Sequence, residues 1–548
     1  MTDAALDALS KDVFDWLCEW NPVFATGMGI HTYDDRMPKG SAAAVAEETR
    51  VMKKYLARLA KIDPKSLSPG KRIDLRVLRA AARLHVFENE EVRLWEARPS
   101  AAEDVADALF LLFIRDFAPL PKRLESITGR LEKCPSFLQD SRDRIRAPTK
   151  LLVEVGLEGT QFVPAFMDVI SAAAKGALPA ADEARLGEAV TKAKEAISGY
   201  ESWIKGDVMP RAQDRLGIGA AKFAKLVRLR ELGLTVDEIY AIGKRYLRGS
   251  KKELARLAGQ IKPGASVAEA KAIVKGDHPK TWDEAREYTA QVMAASKRFV
   301  VEHDIATLPP KEELHVIPTP AYLRHVIPFA AYSSPGRFDA KQQGFYMVTA
   351  HEDKPEMLKE QSYAGVRNTA VHEGYPGHHL QLSCANMNPS YARIVSGAVE
   401  SIEGWAHYCE DMMKEKGYSA DPATKVVQML DQIWRACRIL IDVDLHCGRM
   451  TFDEAVSLLM TEAGMERPGA VAEVKRYAYN PAYQLSYLVG KHLIVQLRKD
   501  VKRGLGRQYT DKFFHDTFLY TGSLPMKYMR ATFEYKVREL RRLRRKGL

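Results

Sequence analysis

The stretch VDEIYAIGKRYLRGSKKELARLAGQI, Val236–Ile261, decides the fold class. Ile239, Ile242, Tyr246, Leu254, Leu257 and Ile261 recur with the spacing of one face of a 3.6-residue helix. Pro263 and Gly264 follow at once and stop it. The same periodicity runs through AAAVAEETRVMKKYLARLAKI (42–62) and DEARLGEAVTKAKEAISGYESWIK (182–205), with Pro64, Pro69, Gly70 and Pro179 as punctuation. Between Glu312 and Ala350 the texture changes. ELHVIPTPAYLRHVIPFAAYSSPGRF is rich in β-branched and aromatic residues and broken by Pro318, Pro320, Pro328 and Pro335, and GFYMVTA reads as a short strand. The prolines predict loops and edge strands, because proline cannot donate to a central ladder. After Lys354 the helical pattern returns. The expectation is a mainly α protein: a helical lobe over 1–305, a small β-rich segment over 306–350, and a second helical lobe over 351–548.

With 548 residues, 46% hydrophobic and 28% charged, the chain has ordinary globular proportions and is too long for one compact core. Mean hydropathy is −0.28, and no run approaches the ~18 apolar residues of a membrane helix. The start, MTDAALDALSKDVFDW, lacks the pattern of a secretory signal. Six scattered cysteines without a C-x-x-C pair suit a reduced compartment, and the expected location is the cytoplasm. The net charge of +11 gathers partly in YKVRELRRLRRKGL at the C-terminus, a solvated helix end without interleaved aromatics. Neither nucleic acid nor membrane is therefore expected as a partner.

The chemistry concentrates in NTAVHEGYPGHHLQ (368–381) and VESIEGWAHYCED (399–411). In H-E-x-x-H zinc helices, two imidazoles on one face hold the metal and the intervening Glu faces the activated water. Here position i+4 from His372 is Pro376, whose ring crowds the preceding turn, so the helix must bulge or break, and Gly377 allows it. In an unbroken helix His378 would lie ~9 Å, and His379 ~10.5 Å, along the axis from His372, too far to share an ion. A break brings His378 round first, with His379 as neighbour or reserve. Three of the 14 histidines fall within these eight residues beside Glu373, which argues against incidental placement. Glu403 on the following helix is the expected third ligand, with Gly404 and Ala406 permitting close helix approach. Glu400 and Glu410 share its face. One of them could orient a ligand imidazole from behind; a plain solvated acidic face is the equal alternative. His407, at i+4 from Glu403, ranks below the other three as a metal ligand.

These two motifs, together with NPVFATGMGIHTYDDRMP (21–38) and YNPAYQLSYLVGKHL (479–493), make the chain resemble the domain-of-unknown-function 885 family over essentially its full length. Members of that family are regarded as zinc metallopeptidases with a HExxPGHH motif. The resemblance implies a large two-lobed helical body similar to Taq-type carboxypeptidases and thimet-type oligopeptidases, with the small sheet before the zinc helix. It implies one Zn²⁺ per chain held by His372, His378 and Glu403, with Glu373 as general base. Relatives often carry a small apolar residue or Leu in place of His407, which speaks against an essential role for it.

Two further segments carry candidates. IWRACRILIDVDLHCGRMT (433–451) sets Arg438, Asp442 and His446 on one helical stripe. The stripe reads as an internal ion-pair ladder, and because it recurs in the family His446 is a candidate for substrate contact or transition-state hydrogen bonding. In VKRYAYNPAYQLSYLVGKHL (474–493), Tyr487 is the first choice for a phenol donor to the oxyanion and Arg476 a candidate anchor for a substrate carboxylate. Lys491 reads as a surface charge. The GFYMVTA strand could pair with extended substrate backbone or simply cover the core.

The functional expectation is zinc-dependent hydrolysis of peptide bonds in short peptides, carboxypeptidase- or oligopeptidase-like. The alternatives are an amidohydrolase acting on a modified amino acid or other non-peptide amide, and a catalytically idle helical protein with a structural metal.

Overall fold

The computed structural model of the chain describes residues 2–319, 330–351 and 354–545. It is 74% helical, with 22 α-helices and one three-stranded sheet, the mainly α architecture that the periodicity predicts. The deciding stretch is a single helix, Val236–Ile261, started by a capping box in which Thr235 and Glu238 satisfy each other's backbone N–H groups. Its buried face of Ile239, Ile242, Leu254 and Leu257 lies along the helix Pro422–His446. Gly243 keeps the two close: a Cβ there would come within 3.0 Å of Ile439.

Hydrophobic clusters run across the sequence boundaries. Ile73, Val77 and Val300 share one core with Trp405, Met412, Ile494 and Phe518, and Leu254, Leu257 and Val274 share another with Val426, Ile441 and Val474. The helix that carries Glu403, Val399–Glu415, and the helix Ser486–Leu505 approach backbone to backbone. A Cβ on Gly404 would sit 2.5 Å from the Gly490 carbonyl carbon, so the glycine contact is obligatory at this distance.

The sheet has the order β1–β3–β2, where β1 is Glu313–Pro318, β2 is Ala330–Ser333 and β3 is Gln343–Val348. β1 runs parallel to β3 (Glu313 opposite Gln343) and β2 antiparallel (Tyr332 opposite Tyr346). GFYMVTA thus supplies the central strand rather than an edge, and any substrate backbone would have to meet β1 or β2 instead. Pro318 ends β1 and Pro335 follows β2, the strand-end positions expected of proline. Pro320 and Pro328 lie outside the described residues.

Among the described residues no helix is long and apolar enough to cross a membrane. All six cysteines are unpaired. In the last helix, Met526–Arg545, Lys536, Arg538, Arg541 and Arg542 are exposed.

Candidate metal centre

Helix Tyr363–Glu373 stops at Glu373, and a new helix begins at His378. Between them the chain turns through Gly374, the cis Tyr375–Pro376 bond and Gly377. The turn is as tight as backbone allows: a Cβ on Gly377 would fall 1.8 Å from the His372 carbonyl oxygen. The Trp405 indole donates to the Pro376 carbonyl at 2.7 Å and ties the break to the Glu403 helix.

The result is a convergence of donors. One donor atom each from His372, Glu373 and His378 lie within 4.8 Å of one another. The two imidazole rings stand edge to face with centroids 4.9 Å apart. His378 Nε2 is 3.4 Å from Glu403 Oε2, and the other Glu403 oxygen accepts from the Tyr483 hydroxyl at 3.0 Å. Burial alone would raise the Glu403 carboxyl; the bond and charge of His378, the charge of His372 and the Tyr483 hydroxyl outweigh it and hold it at about 2. It is therefore a carboxylate ready to face a cation.

Behind His372 stands Glu410, fully buried, whose Oε1 lies 2.7 Å from His372 Nδ1 and 3.1 Å from His407 Nδ1. Its second oxygen accepts from Asn368 at 3.2 Å, and Asn368 in turn accepts from Lys414 at 2.8 Å. Burial pulls the His372 imidazole down, but the Glu410 bond and charge reverse this and raise it. With Nδ1 committed to Glu410, His372 is left with Nε2 for a metal. Glu400 is equally buried but serves elsewhere, 2.7 Å from Arg230. Neither acid is a solvated face.

His379 faces away from this group: its Nε2 is 2.6 Å from Glu312 and its Nδ1 3.0 Å from the Tyr332 hydroxyl. His446 bonds the Tyr477 carbonyl at 3.0 Å, stacks on Phe223 and is pushed by burial down to about 4. Asp442 accepts from the Ala482 backbone at 3.2 Å and holds that residue in its left-handed turn. Arg438 and Arg476 share Glu473 at 3.1 and 2.9 Å. None of these partners belongs to the His372–Glu403 group. Tyr487 is nearer to it, being buried edge-on against Tyr483 at 6.1 Å with the Arg438 guanidinium 4.6 Å over its ring. Lys491 is not a surface charge; it is buried, 2.7 Å from Asp411 and bonded to Gln432 at 2.5 Å. Sequence reasoning missed Tyr483, Tyr332, Glu312 and Asn368. Only Asn368, one turn before His372 on the same helix, carried a local signal.

Two imidazoles and a carboxylate are the donor set of a catalytic zinc site with an open position. His378 Nδ1 is buried without a partner among the described residues, and the acid facing Nε2 is ionised. The residues present fit the metal. A second grouping, His372, His407 and Glu410, also lies within 4.8 Å. There both Nδ1 atoms already address one Glu410 oxygen, which makes it a hydrogen-bonded support rather than a vacant set of ligands.

Fold and site together define a large helical protein organised around one buried His–His–carboxylate centre. The chain belongs to the DUF885 family of bacterial proteins of unknown function, which it matches over residues 22–532. No curated protein matches it. Among solved structures it resembles two proteins each described as a "putative lipoprotein". The one from Shewanella oneidensis, of unknown function, is 25% identical over 95% of this chain and 98% of that one, with a TM-score of 0.79. The one from Colwellia psychrerythraea is 18% identical over 98% of this chain and 99% of that one, with a TM-score of 0.85. Both share the fold.

Proposed function

We propose that the protein is a zinc-dependent hydrolase of peptide bonds acting on short peptides. The observation that carries this reading is the convergence of His372, Glu373 and His378 across the Gly374–Gly377 break, with the ionised Glu403 3.4 Å from His378. His372, His378 and Glu403 would hold the ion. A zinc ion bound there acidifies water and polarises a carbonyl.

The remaining work falls to side chains. Glu410 fixes the His372 ring through Nδ1, and Tyr483 fixes the Glu403 carboxylate. Glu373 follows His372 at the mouth of the break with its carboxylate free of any protein hydrogen bond in the described structure. From there it can take a proton from attacking water and return it to the leaving nitrogen. Tyr487, packed against Tyr483, would donate to the oxyanion that develops on the scissile carbonyl.

The test is metal analysis of the purified protein combined with a screen of short peptides blocked at either end. One zinc per chain and cleavage of at least one peptide are expected. Glu373→Gln should keep zinc and lose ~10²–10⁴-fold in rate, since Gln cannot accept the proton. Wild-type turnover in that variant would remove Glu373 from the mechanism.

A further inference from the structure

A cavity of about 320 Å³ lies where the two halves of the chain meet. Leu84, Leu94 and Arg98 line it from the N-terminal half, and Tyr479, Pro481 and Tyr483 from the C-terminal half. Tyr483 joins it to the metal centre, because the hydroxyl of this wall residue donates to Glu403 at 3.0 Å. Val399 and Glu400, one turn before Glu403 on the same helix, line it too. The volume is at the small end of the range for ligand cavities.

Most of the charge on its wall is already paired. Arg230 meets Glu400 at 2.7 Å and also donates to the Ala482 carbonyl, while Asp442 accepts from the Ala482 N–H at 3.2 Å. The turn between Tyr479 and Tyr483 is thereby held from both sides. Arg98 stands apart. Its half-buried guanidinium lies 3.9 Å over the centre of the Tyr479 ring, and among the described residues it makes no hydrogen bond or ion pair. Glu103, Asp104 and Asp107 feel its charge without bonding to it, and Glu103 accepts from the Tyr479 hydroxyl instead. Glu88, the other acid of the lining, is exposed and stands in the field of Arg230.

A guanidinium stacked on an aromatic face keeps its N–H edges free, and that fork matches a carboxylate through two parallel hydrogen bonds. Leu84, Leu94, Leu226, Leu229 and Pro481 supply an apolar wall beside it. Arg476, expected from sequence as the carboxylate anchor, is held by Glu473. We propose that this cavity receives the C-terminal residue of the peptide substrate, with the Arg98 guanidinium on its α-carboxylate and the leucines around an apolar side chain, so that cleavage proceeds from the carboxyl end. This rests on the zinc-hydrolase reading above and names its substrate class. Hydrolysis leaves a new carboxylate on the shortened chain and a free amine on the departing C-terminal fragment.

The experiment measures kcat/KM on two N-acetylated peptides that end in leucine and differ only in a free or an amidated C-terminus. The wild-type protein should prefer the free acid by roughly 10–100-fold, the range that hydrogen bonds to a charged group supply. In Arg98→Gln that ratio should collapse toward unity, mainly through KM, at unchanged zinc content. A structural role would lower both rates and keep the ratio, and that result would overturn the assignment. If Arg98→Gln yields no folded protein, Arg98→Lys decides: it keeps the charge but not the fork, so the ratio should shrink, and a wild-type ratio overturns the proposal. Equal wild-type cleavage of the two peptides overturns it while the hydrolase reading stands. So does preference for a third peptide with a free amine and an amidated C-terminus, which would assign the cavity to an amine held by Glu88. A wild-type protein that cleaves no peptide overturns both readings.

Discussion

His372 Nδ1 and Glu410 Oε1 stand 2.7 Å apart in full burial, and this contact decides which nitrogen His372 offers to a metal. A carboxylate behind a metal-binding imidazole fixes its tautomer and raises its basicity, and its loss typically costs 10–100-fold in metal affinity. Glu410→Gln should therefore weaken zinc binding by about one to two orders of magnitude. A competition titration against a chromophoric chelator measures this. Wild-type affinity in a folded Glu410→Gln protein would take Glu410 out of the site.

The two adjacent histidines should separate cleanly. His378 faces Glu403 at 3.4 Å, whereas His379 is spent on Glu312 and Tyr332. His378→Ala should lose stoichiometric zinc, and His379→Ala should retain it. Metal analysis of both variants suffices. If the His379 variant loses zinc and the His378 variant keeps it, the assignment of ligands is reversed.

The helices and the break after Glu373 were legible because both are local. Apolar periodicity marks Val236–Ile261, and a proline four residues after His372 cannot sit in an intact turn. Gly404 was legible as a point of close approach, although only the fold shows Gly490 opposite it. What stayed hidden was set by partners far along the chain. Glu410 and Glu400 read alike, three or seven residues from Glu403, yet one meets His372 and the other Arg230. Lys491 looked like any exposed lysine until Asp411 and Gln432 closed around it. Tyr332 and Glu312 come from the β-rich segment, which as sequence announced strands and nothing of their side-chain partners. The central place of β3 was equally hidden, since strand order depends on pairing that no local pattern encodes.

Acid should destabilise the fold through a buried histidine whose hydrogen bonds lie outside the His372–Glu403 group. His515 is buried with Nδ1 2.8 Å from the Ile305 carbonyl and Nε2 2.9 Å from the Tyr408 hydroxyl. Asp511, Arg498 and Lys416 are the charges around it, and burial dominates, pushing it from 6.5 down to about 4. Its folded value lies below its unfolded one, so the unfolded chain takes the proton first as pH falls. The contribution is fully present above pH 6.5 and is lost on the way down to pH 4, an effect of about 3 kcal/mol. In metal-free protein, His515→Gln should show a shallower fall of melting temperature between those values than wild type. Parallel curves would mean that His515 does not carry the acid sensitivity.

Tyr483 and Tyr487 offer two phenols whose roles differ by geometry. Tyr483 donates to Glu403 at 3.0 Å, so it acts on a ligand; Tyr487 packs against Tyr483 and hydrogen-bonds to that phenol rather than to Glu403. Tyr483→Phe removes the donor that helps keep Glu403 ionised, and its signature should be weaker zinc retention with near-normal kcat once zinc is saturating. Tyr487→Phe keeps the ring under Arg438 and the fold, and removes one hydroxyl. If that hydroxyl donates to the oxyanion, kcat should fall on the order of 10²–10³ with little change in KM, because the bond strengthens only as charge develops. The oxyanion forms on the carbonyl whichever atom leaves, so the loss should be the same for a peptide and its depsipeptide. An unchanged kcat at normal zinc content would reduce Tyr487 to packing.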